Sequence, residues 1–171
     1  MAEPSDPARS LILFANSRRI GRRPDLLGDP SSASRALAKA GLVEPGTPVG
    51  PALRRRLIAL RTALNQALAE DSAGWVAIDA VAAKLPLRLR FGVDGSSLTP
   101  RGANDPAALV LLHLHTLLAT GEWGRIHLCA NDICAVAFYD TTRSRTQRWH
   151  SYAMCGNRLN VAAHRARTTP T

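Results

Sequence analysis

The sequence predicts a mainly α fold with a β-hairpin (an α+β chain), organised as a helical domain over residues 1–122 and a small cysteine-bearing module over residues 123–171. Three observations carry this. Leucines recur at helical spacing through the first part of the chain. An Asp-Gly pair between two short segments marks a hairpin near residues 87–100. All three cysteines fall in the C-terminal module, at 129, 134 and 155.

The elements follow in order. The apolar run Leu11 to Ala15 predicts a short helix before Asn16-Ser17 and four arginines between Arg18 and Arg23. Asn16 reads either as a cap or turn residue or as a buried polar anchor. Asp29-Pro30 opens a second helix, because Asp accepts hydrogen bonds from free N–H groups and Pro suits the first turn. Gly41 ends it, and Leu42 folds back onto it. Residues 44–51 form a loop. Leu53, Leu57, Leu60, Leu64 and Leu68 then make one apolar stripe. Arg54, Arg55, Arg56 and Arg61 are expected off that stripe, as a solvated surface or a nucleic-acid face. Trp75 to Lys84 predicts a further helix, stopped by Pro86. After the hairpin, Asp105-Pro106 starts an apolar, central helix that Gly121 ends. His113 and His115 lie on it. Residues two apart on a helix point about 200° apart, so these two are a poor metal pair.

No run of about 18 apolar residues is present, so no membrane span is expected. The N-terminus lacks the pattern of a signal peptide, which makes the cytoplasm the expected location. The net charge is +9, and 20 of 22 basic residues are arginine. That balance fits nucleic acid or another acidic partner, and it also fits a GC-rich coding sequence. Its distribution is uneven. Residues 1–122 hold 15 basic and 11 acidic residues, and residues 123–171 hold 7 and 2.

The C-terminal module carries the chemistry. Cys129 and Cys134 are separated by four residues, fifteen more precede His150, and four precede Cys155. Two close pairs of soft or borderline ligands are an economical supply for tetrahedral Zn²⁺. Three unrelated buried thiols are the alternative. The spacer fits zinc, with AVAFYD as a strand, DTTRSR as a turn and RWHSY as the returning strand that carries His150. A helix, NRLNVAAHRAR, follows Cys155. So small a core needs the metal for stability. Gly156 allows close backbone approach or a positive φ, and Asn157 suits an N-cap. Arg158 in a first helical turn opposes the helix dipole. Either the net negative charge of a three-thiolate zinc site or a nucleic-acid phosphate would answer it.

At these residues the chain resembles the CGNR zinc-finger family, whose namesake tetrapeptide is Cys155-Gly156-Asn157-Arg158. CANDICAVAFYDTTRSRTQRW is also similar to that finger. The helical part, with FANSRR near its start, resembles the ABATE domain that commonly precedes it. The resemblance implies that Cys129, Cys134 and Cys155 are metal ligands. The family's third ligand is a cysteine beside the tryptophan, and here Trp149 is followed by His150. It further implies a stress-responsive transcription regulator that contacts double-stranded DNA through the finger.

Candidate DNA contacts are Arg143, Arg145 and Arg148 before His150, with Arg158, Arg165 and Arg167 after it. Most would meet phosphate, and one or two could read guanine edges. The alternative is a structural zinc module that mediates protein contact or a homodimer without reading DNA. Single-stranded RNA is a weaker fit, since aromatic residues are few. Catalysis is not expected: four protein ligands close a zinc site to substrate, and no nucleophile motif or phosphate loop stands elsewhere. The helical domain is expected to sense a ligand or bind a partner, but the sequence names no effector.

Overall fold

The computed structural model describes residues 2–93, 95–101 and 105–157. Helix α1 spans Asp6–Ala15, capped by Ser5, whose hydroxyl accepts from the Ala8 N–H at 3.3 Å. It begins earlier than its apolar run because Ser5-Asp6-Pro7 supplies the cap and first turn. Helix α2 spans Pro30–Lys39 behind its Asp29 cap. It ends where expected, with Gly41 at φ 69° and the Leu42 N–H donating to the Leu37 carbonyl at 2.9 Å. Leu42 is buried by that reversal.

Helix α3 spans Pro51–Leu68 and helix α4 spans Ser72–Ala82, starting at the Asp71 cap. Their close approach depends on Gly74. A β-carbon there would lie 2.4 Å from the Ala67 nitrogen and 2.6 Å from the Ala63 carbonyl oxygen. Strands β1, Leu87–Gly92, and β2, Gly95–Pro100, pair antiparallel with Gly92 opposite Gly95. Helix α5 spans Pro106–Ala119 and buries Ala107, Val110, Leu111, Leu114 and Leu117. Among the described residues, no helix is long and apolar enough to cross a membrane.

The core gathers Leu11 and Phe14 of α1, Leu37 of α2, Leu57, Leu60 and Leu64 of α3, and the apolar side of α5. One basic residue joins them. Arg61 is 3% exposed, contrary to its expected place off the leucine stripe. At 100° per residue it stands only about 40° from Leu57, so the stripe contains it. Its guanidinium donates to Asp25 at 2.8 and 2.5 Å and to the Ser17 hydroxyl at 3.2 Å. A buried cation is tolerable because it is paired and hydrogen-bonded. Burial raises the Asp25 carboxyl, but the Arg61 hydrogen bond and the Leu27 N–H bring it below its ordinary value.

After a 3₁₀ turn at Trp123–Arg125, strands β3, Ile126–Leu128, and β4, Ala137–Tyr139, form a second antiparallel hairpin. This corrects the expected partner of AVAFYD. The strand pairs backward with Ile126–Leu128, and RWHSY carries no strand. Instead, Ala130 donates to the Arg148 carbonyl at 2.9 Å, which ties that segment to the hairpin loop. Ile126 and Ala137 belong to the main core, so the hairpin is one wall of the helical body as well as part of the finger.

Candidate metal centre

The β3–β4 hairpin positions the first two ligand candidates. Cys129 follows β3 directly, and its N–H donates to the Val136 carbonyl at 2.8 Å, extending the ladder. Between them the chain makes a tight knuckle. Asn131 is buried, its carbonyl accepts from Cys134 at 2.8 Å and Ala135 at 3.0 Å, and its side chain accepts from the Ile133 N–H at 3.2 Å. Ala135 closes the turn at φ 45°.

The loop from Asp140 to Trp149 brings His150 back. Asp140 is completely buried and organises that loop. Its carboxylate accepts from the Thr142 N–H at 2.7 Å, the Thr142 hydroxyl at 2.5 Å and the Gln147 N–H at 2.9 Å. Burial raises the Asp140 carboxyl, yet these bonds hold it below its ordinary value. Cys155 sits in a short π-helical turn, Tyr152–Gly156, capped by the Ser151 hydroxyl.

Two expectations change here. Asn157 has helical φ −60° and ψ −41°, whereas an N-cap residue needs non-helical dihedrals. Ser151 caps the π-helical turn that precedes Asn157. Gly156 is absent from the positive-φ residues. Its lack of a side chain serves packing, since a β-carbon would meet Tyr152 Cδ2 at 2.7 Å and Trp149 Cε3 at 3.1 Å. Trp149 and Tyr152 meet edge to face at 5.7 Å, and Trp149 packs beside Cys129, Phe138 and Cys155. Trp149 thus helps to fill the small core of the finger.

Cys129 Sγ, Cys134 Sγ, Cys155 Sγ and a ring nitrogen of His150 lie within 4.8 Å of one another. His150 Nδ1 is 3.4 Å from Cys134 Sγ and 3.7 Å from Cys155 Sγ. Tetrahedral Zn²⁺ with thiolate bonds near 2.3 Å and imidazole bonds near 2.05 Å separates sulfur and nitrogen by about 3.5 Å. The donor set therefore fits zinc in both chemistry and size. Backbone groups prepare the sulfurs as well: the Asn131 and His150 N–H groups donate to Cys129, and Val136 donates to Cys134. Such bonds orient ligands and spread their negative charge.

The three thiols stand close enough to oppose one another's ionisation. Burial raises Cys129, but hydrogen bonds from the His150 ring and the two N–H groups bring it down to about 7. Burial pushes Cys134 up, and the neighbouring Cys129 and Cys155 hold it at about 11 despite the Val136 N–H. A divalent cation resolves the conflict, because coordination deprotonates thiols outright. His113 and His115 are not part of this cluster.

The comparisons agree with the geometry. A family model for the ABATE domain, described as "Putative stress-induced transcription regulator", matches residues 9–136. The chain belongs to the ABATE family. A model of the CGNR zinc finger matches residues 125–168, and with the cluster it points to zinc as the metal of this ABATE-family protein. The two matches overlap over residues 125–136, which contain β3, Cys129 and Cys134. No match is found among curated proteins.

The predicted DNA contacts divide into two groups. Arg143, Arg145 and Arg148 are exposed on the Asp140–Trp149 loop. Arg145 adopts φ 55°, and the Arg148 guanidinium lies 5.4 Å from the centre of the Trp149 ring. Arg158, Arg165 and Arg167, with the helix expected after Asn157, lie outside the described residues. One functional contact escaped sequence reasoning. Asn16 pairs with the backbone of Ala137 in β4, 121 residues away. FANSRR marked the spot, but no local pattern names so distant a partner.

Proposed function

We propose that this ABATE-family protein is a DNA-binding transcription regulator whose CGNR finger is the contact module. Cys129, Cys134, His150 and Cys155 hold one structural Zn²⁺, and Arg143, Arg145 and Arg148 meet phosphate or guanine edges on double-stranded DNA. Arg158, Arg165 and Arg167 extend the same basic surface by sequence. The residues 1–122 form the sensing or partner-binding part, with 123–171 as the finger.

The contrast between two sets of arginines carries this reading. The basic residues of α3 are largely committed to the fold. Arg61 is buried against Asp25, Arg54 donates to the Gly28 carbonyl at 2.5 Å, and Arg56 pairs with Asp105 at 2.6 Å. The three arginines of the Asp140–Trp149 loop are different. None of Arg143, Arg145 and Arg148 takes part in an ion pair among the described residues. The nearby Asp140 is buried and spent on the Thr142 hydroxyl and two backbone N–H groups, and it forms no ion pair with them among the described residues. Exposed arginines without acidic partners suit a phosphate backbone. Four protein ligands also make this a structural zinc site.

A second reading, contact with a protein or a second copy, draws on the β1–β2 hairpin, where Leu89, Phe91 and Val93 are exposed. Apolar exposure of this kind marks contact surfaces. Duplex binding by fluorescence anisotropy across a salt series separates the two. Arg143→Ala with Arg145→Ala should keep the zinc, weaken duplex binding and reduce the salt slope by about 2, one phosphate contact each. Unaltered binding by this variant removes these arginines from the contact surface.

A further inference from the structure

The turn at the end of α1 grips the zinc knuckle. The Asn16 side chain donates to the Ala137 carbonyl at 2.7 Å and accepts from the Ala137 N–H at 2.8 Å. It thus reads both backbone groups of one residue on the free edge of β4, as a neighbouring strand would. Arg18 adds a bond to the Ala135 carbonyl at 2.6 Å. Ala135 follows Cys134 directly and is the residue at φ 45° that closes the knuckle. The two side chains therefore hold both sides of Val136, whose N–H donates to the Cys134 sulfur.

The same turn is held from behind. Asn65 of α3 donates to the Ala15 carbonyl at 3.2 Å, and the buried Arg61 donates to the Ser17 hydroxyl at 3.2 Å. Ser17 is itself buried, and its hydroxyl donates to the Phe14 carbonyl at 2.6 Å. A continuous set of hydrogen bonds thus runs from Asp25 and α3, through residues 15–18, to the segment that places Cys134. Bonds in the outer shell of a metal site set the orientation of its ligands, and losing them typically costs 10–100-fold in metal affinity.

We propose that Asn16 and Arg18 are positioning residues for the zinc centre, so that zinc affinity in the finger depends on the conformation of the turn that ends α1. Thermodynamic reciprocity follows: whatever shifts the turn at the end of α1 changes zinc retention, and zinc stabilises that turn by the same factor. The proposal concerns the metal site alone and stands whether or not the finger reads DNA.

The test uses the full-length, zinc-loaded chain. Zinc release to a chromogenic chelator is followed for the native protein, Asn16→Ala, Arg18→Ala and a control, Leu37→Ala. Leu37 is buried in α2 and takes no part in the hydrogen bonds of the clamp, so its truncation weakens the helical core without removing any of them. Asn16→Ala should lower zinc affinity about tenfold or more, the effect of losing an outer-shell partner. Arg18→Ala, which loses one bond, should lower it roughly threefold and serves if Asn16→Ala does not fold. Leu37→Ala should lower the melting temperature yet keep native zinc affinity. Native affinity in both clamp variants would overturn the proposal, as would an equal loss in the Leu37→Ala control.

Discussion

Asp140→Asn isolates the finger loop. The substitution keeps size and shape but replaces one carboxylate oxygen with an NH₂ group. Three donors converge on the native carboxylate, at 2.5, 2.7 and 2.9 Å. The two Thr142 donors share Oδ1, and the Gln147 N–H uses Oδ2 alone. In whichever orientation the amide settles, its NH₂ faces at least one N–H donor in a fully buried place. An unsatisfied buried donor costs about 1–3 kcal/mol, and the remaining bonds lose charge assistance. The expected loss is therefore about 2–4 kcal/mol. At this chain length each 1 kcal/mol moves the midpoint by about 2–4 °C, so melting at saturating zinc should fall by roughly 4–16 °C. The acid response supplies a second readout. Asp140 is held below its ordinary value, so its contribution is full above the unfolded aspartate pKa near ~3.9 and fades as pH falls through the lower folded value. The asparagine variant should lack that part of the acid destabilisation. A melting point within about 1 °C of native would refute the assigned role of Asp140.

Two further perturbations address the metal and its packing. Cys155→Ser should abolish stable zinc binding, because it removes one of four ligands and an oxygen replaces a thiolate. The β3–β4 hairpin should remain docked in that variant, since Ile126 and Ala137 belong to the main core; metal analysis and amide exchange check the two halves, and full zinc content would cancel the ligand assignment. Gly156→Ala should destabilise the finger by about 1–3 kcal/mol through overpacking, because its methyl would press on Tyr152 and Trp149. Chemical denaturation at saturating zinc measures this, and a neutral effect would contradict the close packing.

Much of the architecture was legible because its signals are local. Asp29-Pro30 and Asp105-Pro106 announced α2 and α5, Gly41 and Gly121 closed them, and the Asp-Gly pair in the sequence announced the β1–β2 hairpin. The metal cluster was legible from spacing, since metal coordination demands particular residue types in close pairs. The misreadings share a physical cause, which is that long-range partners leave no local trace. AVAFYD pairs with Ile126–Leu128 rather than RWHSY because the knuckle itself is the hairpin loop. Arg61 seemed to belong to a solvated face only because its charge outweighed its angular position beside Leu57. Its burial depends on Asp25, 36 residues away. Asn16 looked like a cap, and it is indeed the C-cap of α1, but its side chain serves β4.

The centre of the account is a zinc-held finger that presents arginines to duplex DNA. The most direct test is anisotropy of a labelled duplex titrated with the zinc-loaded chain across a salt series, with metal content measured on the same preparation. One zinc per chain is expected, with duplex affinity that falls with salt at a log–log slope of about −2 to −3 from Arg143, Arg145 and Arg148 alone, and steeper with further contacts. One zinc per chain with no duplex binding even at low salt would contradict the DNA reading and leave the finger as a structural contact module.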